Sequence, residues 1–231
     1  MSSGGIPIFL SVIFAYKIGS SLQGLAGNVS AYFQRIHWRD TSNAEVAIID
    51  KYFGGLKTTP RTGWLNNMIP SADCESVADH SWRMSMMVML YSPEANWGQK
   101  LSVEKMVMMC VIHDLAETIT GDITPEKTSG ISPAEKKRRE HDAMEKIISA
   151  LGERLRGELR GLWIQYEDQK TPEAQFVKDV DRIEMLSQAI IYERKFPSID
   201  LSTFFESTMG KARFPQTKAW DAEVRKLRSR R

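Results

Sequence analysis

From residue 43 to the carboxyl end, apolar residues recur at the three- and four-residue spacing of amphipathic helices. The strict alternation of a half-buried strand is hard to find anywhere in this region. The pattern therefore predicts an all-α fold. It predicts six main helices followed by two shorter terminal ones, with the main helices at about 43–56, 77–91, 103–119, 133–151, 152–168 and 172–194.

Local signals support several of these boundaries. The Ser132-Pro133-Ala134-Glu135 run places an N-cap serine, a proline at the first helical position and a glutamate at the third, which is a capping-box arrangement. Thr171-Pro172 opens the sixth helix in the same way, and Gly54-Gly55 is expected to end the first. Gly121 and Pro125 are expected to end the third.

Two long loops are predicted, KTTPRTGWLNNMIPSADCES at 57–76 and DITPEKTSGI at 122–131. Long loops inside compact domains are often functional. These two segments are therefore the first places to look for residues that bind a ligand.

Composition is that of one main globular domain, at 41–231. Of the 231 residues, 42% are hydrophobic and 26% are charged, with a formal net charge of +2. The basic clusters at 136–139 and 225–231 are predicted to lie on solvated helices, so no nucleic-acid polymer is expected as a partner. Two isolated cysteines, Cys74 and Cys110, predict neither a disulfide framework nor a zinc knuckle and favour a reducing compartment.

The first forty residues differ from the rest, because no acidic residue precedes Asp40. The apolar run at 6–16 is shorter than the roughly 20 residues that span a bilayer, so no stable membrane span is expected. MSSGG lacks the basic start of a secretory signal, and the similarity to a transit peptide is weak. Residues 1–40 are interpreted as a tail of unknown role, with a poorly ordered extension as the simplest interpretation.

The stretch HDLAETITGD at 113–122 concentrates groups that bind metals or transfer protons. On a helix, Glu117 lies on the same face as His113 and Asp114, because it follows them by four and three residues. Asp122 comes after Gly121 and could fold back over that face.

Two further polar residues occupy positions that should face inward. His80 lies on the same helical stripe as Met84 and Met87, and Asp181 lies within the apolar face of FVKDVDRIEML. A carboxylate there is costly unless it is paired. His80, His113, Asp114 and Asp181 therefore form a possible set of two nitrogen and two oxygen ligands for a metal.

Each of these residues also has a purely structural explanation. An inward histidine is often a hydrogen-bonded core residue, and Asp181 or Asp179 could pair with Lys178 or Arg182. The metal hypothesis depends on the four residues occurring together on separate helices.

The order His80, His113-Asp114, Asp181 resembles the H…HD…D pattern of the HD-domain metal-dependent phosphohydrolases, an all-α superfamily. The resemblance is strongest to the HD-domain 5'-deoxynucleotidases, especially the eukaryotic HD-domain-containing-protein-two group, and spans about 45–225. It rests on five blocks in order: PRTGW at 60–64, ESVADHSWRM at 75–84, HDLAETITGDITP at 113–125, EKKRREHDAM at 135–144 and FVKDVDRIEM at 176–185.

This resemblance implies hydrolysis of 2'-deoxyribonucleoside 5'-monophosphates by an intracellular homodimer, expected in the cytoplasm unless the tail directs it to an organelle. It implies one divalent cation (Co²⁺, Mn²⁺, Mg²⁺ or Zn²⁺), held by the four residues above. Glu117 and Asp122 would be catalytic, and Arg61 and Trp64 would bind the nucleotide, with the indole crowding the 2' position of a ribose. Core packing of Trp64 is the alternative.

Alternatives within and outside the superfamily remain. The chain has only four histidines, two of them (His37 and His141) outside the ligand set, which favours one metal over the two used by cyclic-nucleotide phosphodiesterases. Hydrolysis of a nucleoside triphosphate, of (p)ppGpp or of another phosphoester is a second hypothesis. A non-enzymatic helical interaction module is a third.

Overall fold

The apolar periodicity of the sequence is realised as ten α-helices, and no β-strand occurs among the residues that the structure describes, so the all-α prediction is confirmed. This structure, a computed structural model, describes residues 46, 48–124 and 126–229. The predictions for residues 1–40, His37 and Pro125 lie outside them. The helices are α1 Thr62–Leu65, α2 Val77–Val88, α3 Val103–Ile112, α4 Glu117–Thr120, α5 Glu126–Ser129, α6 Pro133–Ser149, α7 Glu153–Asp168, α8 Pro172–Lys195, α9 Ser202–Thr208 and α10 Pro215–Ser229.

Helix α8 is the central element and packs against α2, α3, α7, α9 and α10. It begins as predicted, because the Thr171 hydroxyl accepts a hydrogen bond from the Ala174 amide at 3.2 Å and Pro172 occupies the first turn. Its predicted inward face is buried, at Phe176, Val177, Val180 and Ile183. A helix buried on so many sides can hold a functional side chain rigidly.

Two apolar clusters surround this helix. The larger lies between α2, α3, α6, α7 and the first half of α8, and includes fully buried Met84, Met106, Met109 and Met144. Burying one such side chain contributes about 1.5–3 kcal/mol. The smaller cluster lies along the second half of α8 and contains Trp64, Ile69, Leu186, Leu201 and Phe205.

The prediction of one continuous third helix over 103–119 is wrong. Helix α3 ends at Ile112, and the backbone bonds then become three-residue turns, from Leu115 to Ile112 and from Glu117 to Asp114, before α4 begins. Because three-residue turns are tighter than α-helical ones, the regular α-helix is interrupted within HDLA.

The first predicted helix and the two predicted loops also differ in detail. In the described part of 43–56, the chain forms a π-helical turn at Ile49–Phe53, followed by a 3₁₀ turn at Gly55–Lys57. Each predicted loop contains a four-residue helix, α1 in the first and α5 in the second. Helices this short carry too little periodicity for a pattern to predict them.

The N-termini of α2 and α6 are capped by serine side chains. At α2, Ser76 and Asp79 form a complete capping box. At α6, Ser132 accepts from the Glu135 amide at 3.2 Å, whereas the Glu135 carboxylate pairs with Arg138 and Arg139. No helix in the described part of the chain combines the length and apolarity needed to cross a membrane.

Candidate metal centre

Three helices deliver metal-competent side chains to one point. His80 projects from α2, His113 follows the last residue of α3, and Asp181 projects from α8. Each offers one ligand atom, and these atoms all lie within 4.8 Å of one another. His80 is completely buried and His113 is 4% exposed. The site therefore lies where α2, α3 and α8 meet.

In each histidine, Nδ1 carries a proton. His113 Nδ1 lies 2.8 Å from the carbonyl oxygen of Cys110, which can only accept, and His80 Nδ1 lies 2.5 Å from Glu184 Oε2. In the neutral rings, Nε2 is then the unprotonated nitrogen. Both Nε2 atoms are buried and lack a hydrogen-bond partner among the described residues.

Carboxylate oxygens face these two nitrogens. Asp181 Oδ1 lies 3.3 Å from His80 Nε2, and Asp114 Oδ2 lies 3.0 Å from His113 Nε2. Lone pairs on nitrogen and oxygen would repel across such distances unless a proton or a cation lay between them. Two imidazole and two carboxylate donors suit a divalent cation, so the residues present fit one at this position.

Electrostatics of the site agree with this conclusion. Burial and Arg61 both lower the pKa of His80, but Glu184 and Asp181 outweigh them and raise it to about 9. Burial opposes ionisation of Asp181, yet Lys178, His80 and His113 together hold the pKa of that carboxyl well below its usual range. The cluster thus favours a positive charge among its carboxylates.

Arg61 lies beside the centre. Its Nη1 donates to Asp114 Oδ2 at 3.3 Å and lies 3.8 Å from Asp122 Oδ1. Asp122 also accepts from the backbone amide of Thr62 at 2.6 Å. Arg61 of the first predicted loop and the two aspartates of HDLAETITGD are therefore brought together.

Glu117 is 3% exposed, and its Oε2 has no hydrogen-bond partner among the described residues. Burial, followed by the neighbouring charges of Asp114 and Asp122, raises its pKa well above the usual value. Gly121 ends α4 with φ +70° and ψ 168°, a conformation open almost only to glycine.

Trp64 lies inside the smaller apolar cluster with 2% exposure. Its Nε1 donates to Glu75 Oε1 at 2.8 Å, and its ring contacts Tyr192 and Phe204 at centroid distances of 5.3 and 4.7 Å. These surroundings match core packing, the alternative that the sequence left open.

A cavity of about 230 Å³ adjoins the centre. His113, Asp114 and Glu117 line it, together with Ala116, Lys136, Glu140, Trp163, Tyr166, Glu167 and Lys178. Lys136 belongs to the basic cluster of the largely exposed helix α6, yet it also lines the cavity, and its ammonium donates to the carbonyl of Ile123 at 2.7 Å. Sequence spacing alone gave no indication of this inward orientation.

Further residues hold the ligands in place. Asp181 Oδ2 accepts from Tyr166 at 2.9 Å and from Lys178 at 2.7 Å, which leaves Oδ1 toward His80. The proposed pairing of Asp181 with Lys178 thus exists together with the metal-competent arrangement. Asp179, the other acid considered, pairs with Arg182 at 3.4 Å.

Comparisons with known proteins agree with this geometry. The family model of the HD domain matches residues 53–220. A protein named 5'-deoxynucleotidase HDDC2 from Danio rerio is 44% identical over 72% of this chain and 79% of its own length. Its namesake from Homo sapiens is 40% identical over 76% and 82%.

Among solved structures, a conserved hypothetical protein from Pyrococcus furiosus superimposes with a TM-score of 0.63 at 30% identity, covering 78% of this chain and 99% of its own. The two histidines, two aspartates and all-helical frame described above are thus accompanied by sequence similarity over most of the chain. The chain belongs to the HD-domain family and, within it, to the metal-dependent phosphohydrolases of the 5'-deoxynucleotidase group.

Proposed function

We propose that this protein is a metal-dependent 5'-deoxynucleotidase, which hydrolyses 2'-deoxyribonucleoside 5'-monophosphates to a deoxynucleoside and phosphate. The observation that carries the proposal is the convergence of His80, His113 and Asp181 on one point, with Asp114 beside His113 and Arg61 beside Asp114. The names of the relatives support the substrate class.

His80, His113, Asp114 and Asp181 would hold the metal. The chemistry that a divalent cation would supply there is polarisation of a phosphoryl oxygen and a lower pKa for the attacking water. Imidazole ligands suit Zn²⁺ and carboxylate ligands suit Mg²⁺ and Mn²⁺, so the mixed set does not select one of the four ions named above. The identity of the metal is therefore a question for titration rather than for geometry.

Arg61 would bind the phosphate. A guanidinium offers parallel N–H donors that match two phosphate oxygens, and its charge does not titrate in the physiological range. Its contact with Asp114 places that charge beside a metal ligand. Trp64, three residues later, supports this proposal through its packing, because it anchors the turn that carries Arg61.

Glu117 and Asp122 would carry out the proton transfers of the reaction. We assign Glu117 to the water, since its buried carboxyl lines the cavity beside the ligands. Asp122 then protonates the leaving 5'-oxygen, and its bond to the Thr62 amide holds it next to Arg61. A homodimer and an intracellular location complete the proposal by analogy with the family.

A metal-by-nucleotide screen for released phosphate tests this function. Purified protein would be incubated with each of the four metals and with paired deoxy- and ribonucleoside monophosphates. We expect phosphate from the deoxynucleotides, more slowly from the ribonucleotides, and none after chelation. Release of pyrophosphate or tripolyphosphate from triphosphates alone would favour a different HD phosphohydrolase. Absence of both metal binding and phosphate release would favour a non-enzymatic module.

A further inference from the structure

Glu184 is completely buried on α8, three residues after the metal-competent Asp181. Its complete burial keeps it out of contact with a substrate, and it is not among the residues that line the cavity. A buried carboxylate is costly unless each oxygen is satisfied. The contacts of Glu184 therefore indicate what it is for.

Both oxygens of Glu184 are occupied. Oε2 accepts from His80 Nδ1 at 2.5 Å, and Oε1 accepts from Arg83 Nε at 2.7 Å. Arg83 also donates to the Glu184 carbonyl at 3.3 Å and to Gln188 Oε1 at 2.9 Å. The guanidinium is thus attached to α8 by three acceptors, and it fixes the carboxylate that holds His80.

The arrangement has a regular spacing. His80 and Arg83 are three residues apart on α2, and Asp181 and Glu184 are three residues apart on α8. Residues at this spacing share a helix face. Each helix therefore contributes one metal-competent residue and one residue of the supporting pair.

A second metal site at this position is disfavoured. Glu75, His80 and Glu184 do offer ligand atoms within 4.8 Å of one another. However, Arg83 lies 3.9 Å from the Glu75 carboxylate and also pairs with Glu184, so a cation there would compete with the guanidinium. The charge of Glu184 is already neutralised by protein groups.

We propose that Glu184, clamped by Arg83, is a positioning residue that sets the metal affinity of the site through His80. It holds the proton on Nδ1 and the orientation of the ring, so the lone pair on Nε2 points toward Asp181. Carboxylates behind ligating histidines commonly act in this way, and their loss typically costs about 10–100-fold in metal affinity. The inference relies on the proposed function only for the presence of a metal.

The variant Glu184→Gln tests this role with little change in volume. A glutamine has one acceptor oxygen where the native carboxylate satisfies two donors, His80 and Arg83. The readout is the dissociation constant of Co²⁺, measured by calorimetric titration without nucleotide, together with the visible absorption spectrum of the bound ion. We expect affinity to fall about 10–100-fold.

Glu193→Gln is the matched control. Glu193 lies on the same helix and is 1% exposed. It is paired with Arg228, whose side chain is 25% exposed, compared with 26% for Arg83. It lies nine residues beyond Glu184, or about 13 Å along the helix. We expect Glu193→Gln to lose stability while Co²⁺ affinity stays at the wild-type value.

Wild-type affinity in Glu184→Gln, or an equal loss in Glu193→Gln, would overturn the proposal. Should Glu184→Gln fail to fold, Arg83→Lys provides the test. A lysine keeps the charge of Arg83 but loses the forked hydrogen-bond donors of the guanidinium, so we expect a smaller loss of Co²⁺ affinity. An unchanged affinity would contradict the inference. A wild-type protein that binds Co²⁺ yet releases no phosphate from deoxynucleotides would refute the proposed function and leave this inference intact. If the wild type releases phosphate from deoxynucleotides but Glu184→Gln leaves the Co²⁺ affinity unchanged, this inference is refuted and the proposed function stands.

Discussion

Asp122 Oδ2 accepts a hydrogen bond from the backbone amide of Thr62 at 2.6 Å, across 60 residues of sequence. This contact joins the segment after α4 to the turn that carries Arg61. It depends on Gly121, whose φ of +70° directs the chain back after the helix ends. The proposed role of Asp122, and its place next to Arg61, therefore rest on this backbone conformation.

Gly121→Val should therefore cause a large loss of phosphate release and only a modest loss of stability. A Cβ at this position would meet no atom within 4 Å, so the cost is conformational and about 1–3 kcal/mol. Gly130→Val is the control, because Gly130 has the same φ of +70° and the same open surroundings. The melting temperature should fall by a similar amount in both variants, whereas kcat should fall only for Gly121→Val. Equal kcat values would contradict the role given to this turn.

Asp114→Ala should abolish phosphate release. Its carboxylate lies 3.0 Å from His113 Nε2 and pairs with Arg61, so the change removes a proposed metal ligand and the ion-pair partner of Arg61. Loss of several kcal/mol of transition-state stabilisation corresponds to more than a hundredfold in rate. Asp142→Ala, at an exposed aspartate of α6 paired with Arg138, should keep full activity. Full activity in Asp114→Ala would refute the proposed mechanism.

Arg61→Lys should raise KM for deoxynucleotides while the fold is retained. A lysine keeps the charge but loses the planar fork, and hydrogen bonds to charged groups are worth about 1.5–3 kcal/mol. That energy corresponds to about 10–100-fold in kcat/KM. Arg182→Lys is a suitable comparison, since Arg182 also pairs with an aspartate, Asp179, which is outside the proposed ligand set. Steady-state kinetics that match the wild type would remove Arg61 from the phosphate site.

Trp64→Phe should lower stability and leave the ratio of deoxy- to ribonucleotide hydrolysis unchanged. The indole is 2% exposed, and the change removes its bond to Glu75 and part of its packing on Phe204, a cost of about 1–3 kcal/mol. Chemical unfolding measures the free energy of unfolding, and paired nucleotide assays measure the ratio of deoxy- to ribonucleotide hydrolysis. A lost preference for deoxynucleotides at unchanged stability would instead support direct contact between Trp64 and the sugar.

Removal of the metal should lower the melting temperature. A cation present at 100 times its dissociation constant stabilises the native state by about 2.7 kcal/mol. For a chain of this length that energy corresponds to roughly 5–10 °C. Differential scanning fluorimetry with and without chelator measures the shift. Asp114→Ala should melt at the same temperature in both conditions, and a shift as large as that of the wild type would place the binding elsewhere.

Local chemistry explains why much of the fold is predictable from the chain alone. The start of α8 follows from Thr171 and Pro172, and its buried face follows from the spacing of Phe176, Val177 and Val180. Ser132 and Pro133 fix the start of α6 in the same way. Capping and apolar periodicity act within one or two helical turns, so their effect on helix boundaries does not depend on tertiary contacts.

The sequence by itself determined the helical class, the inward positions of His80 and Asp181 and the importance of HDLAETITGD. Only the tertiary structure decided which groups support these residues: Glu184 and Arg83 behind His80, Thr62 beneath Asp122, and the burial of Trp64. A helical period specifies which face of a helix is apolar, but not which helix packs against that face. Contacts between residues 60 or 104 positions apart arise only when the helices assemble, and the supporting partners of the metal centre are contacts of that kind.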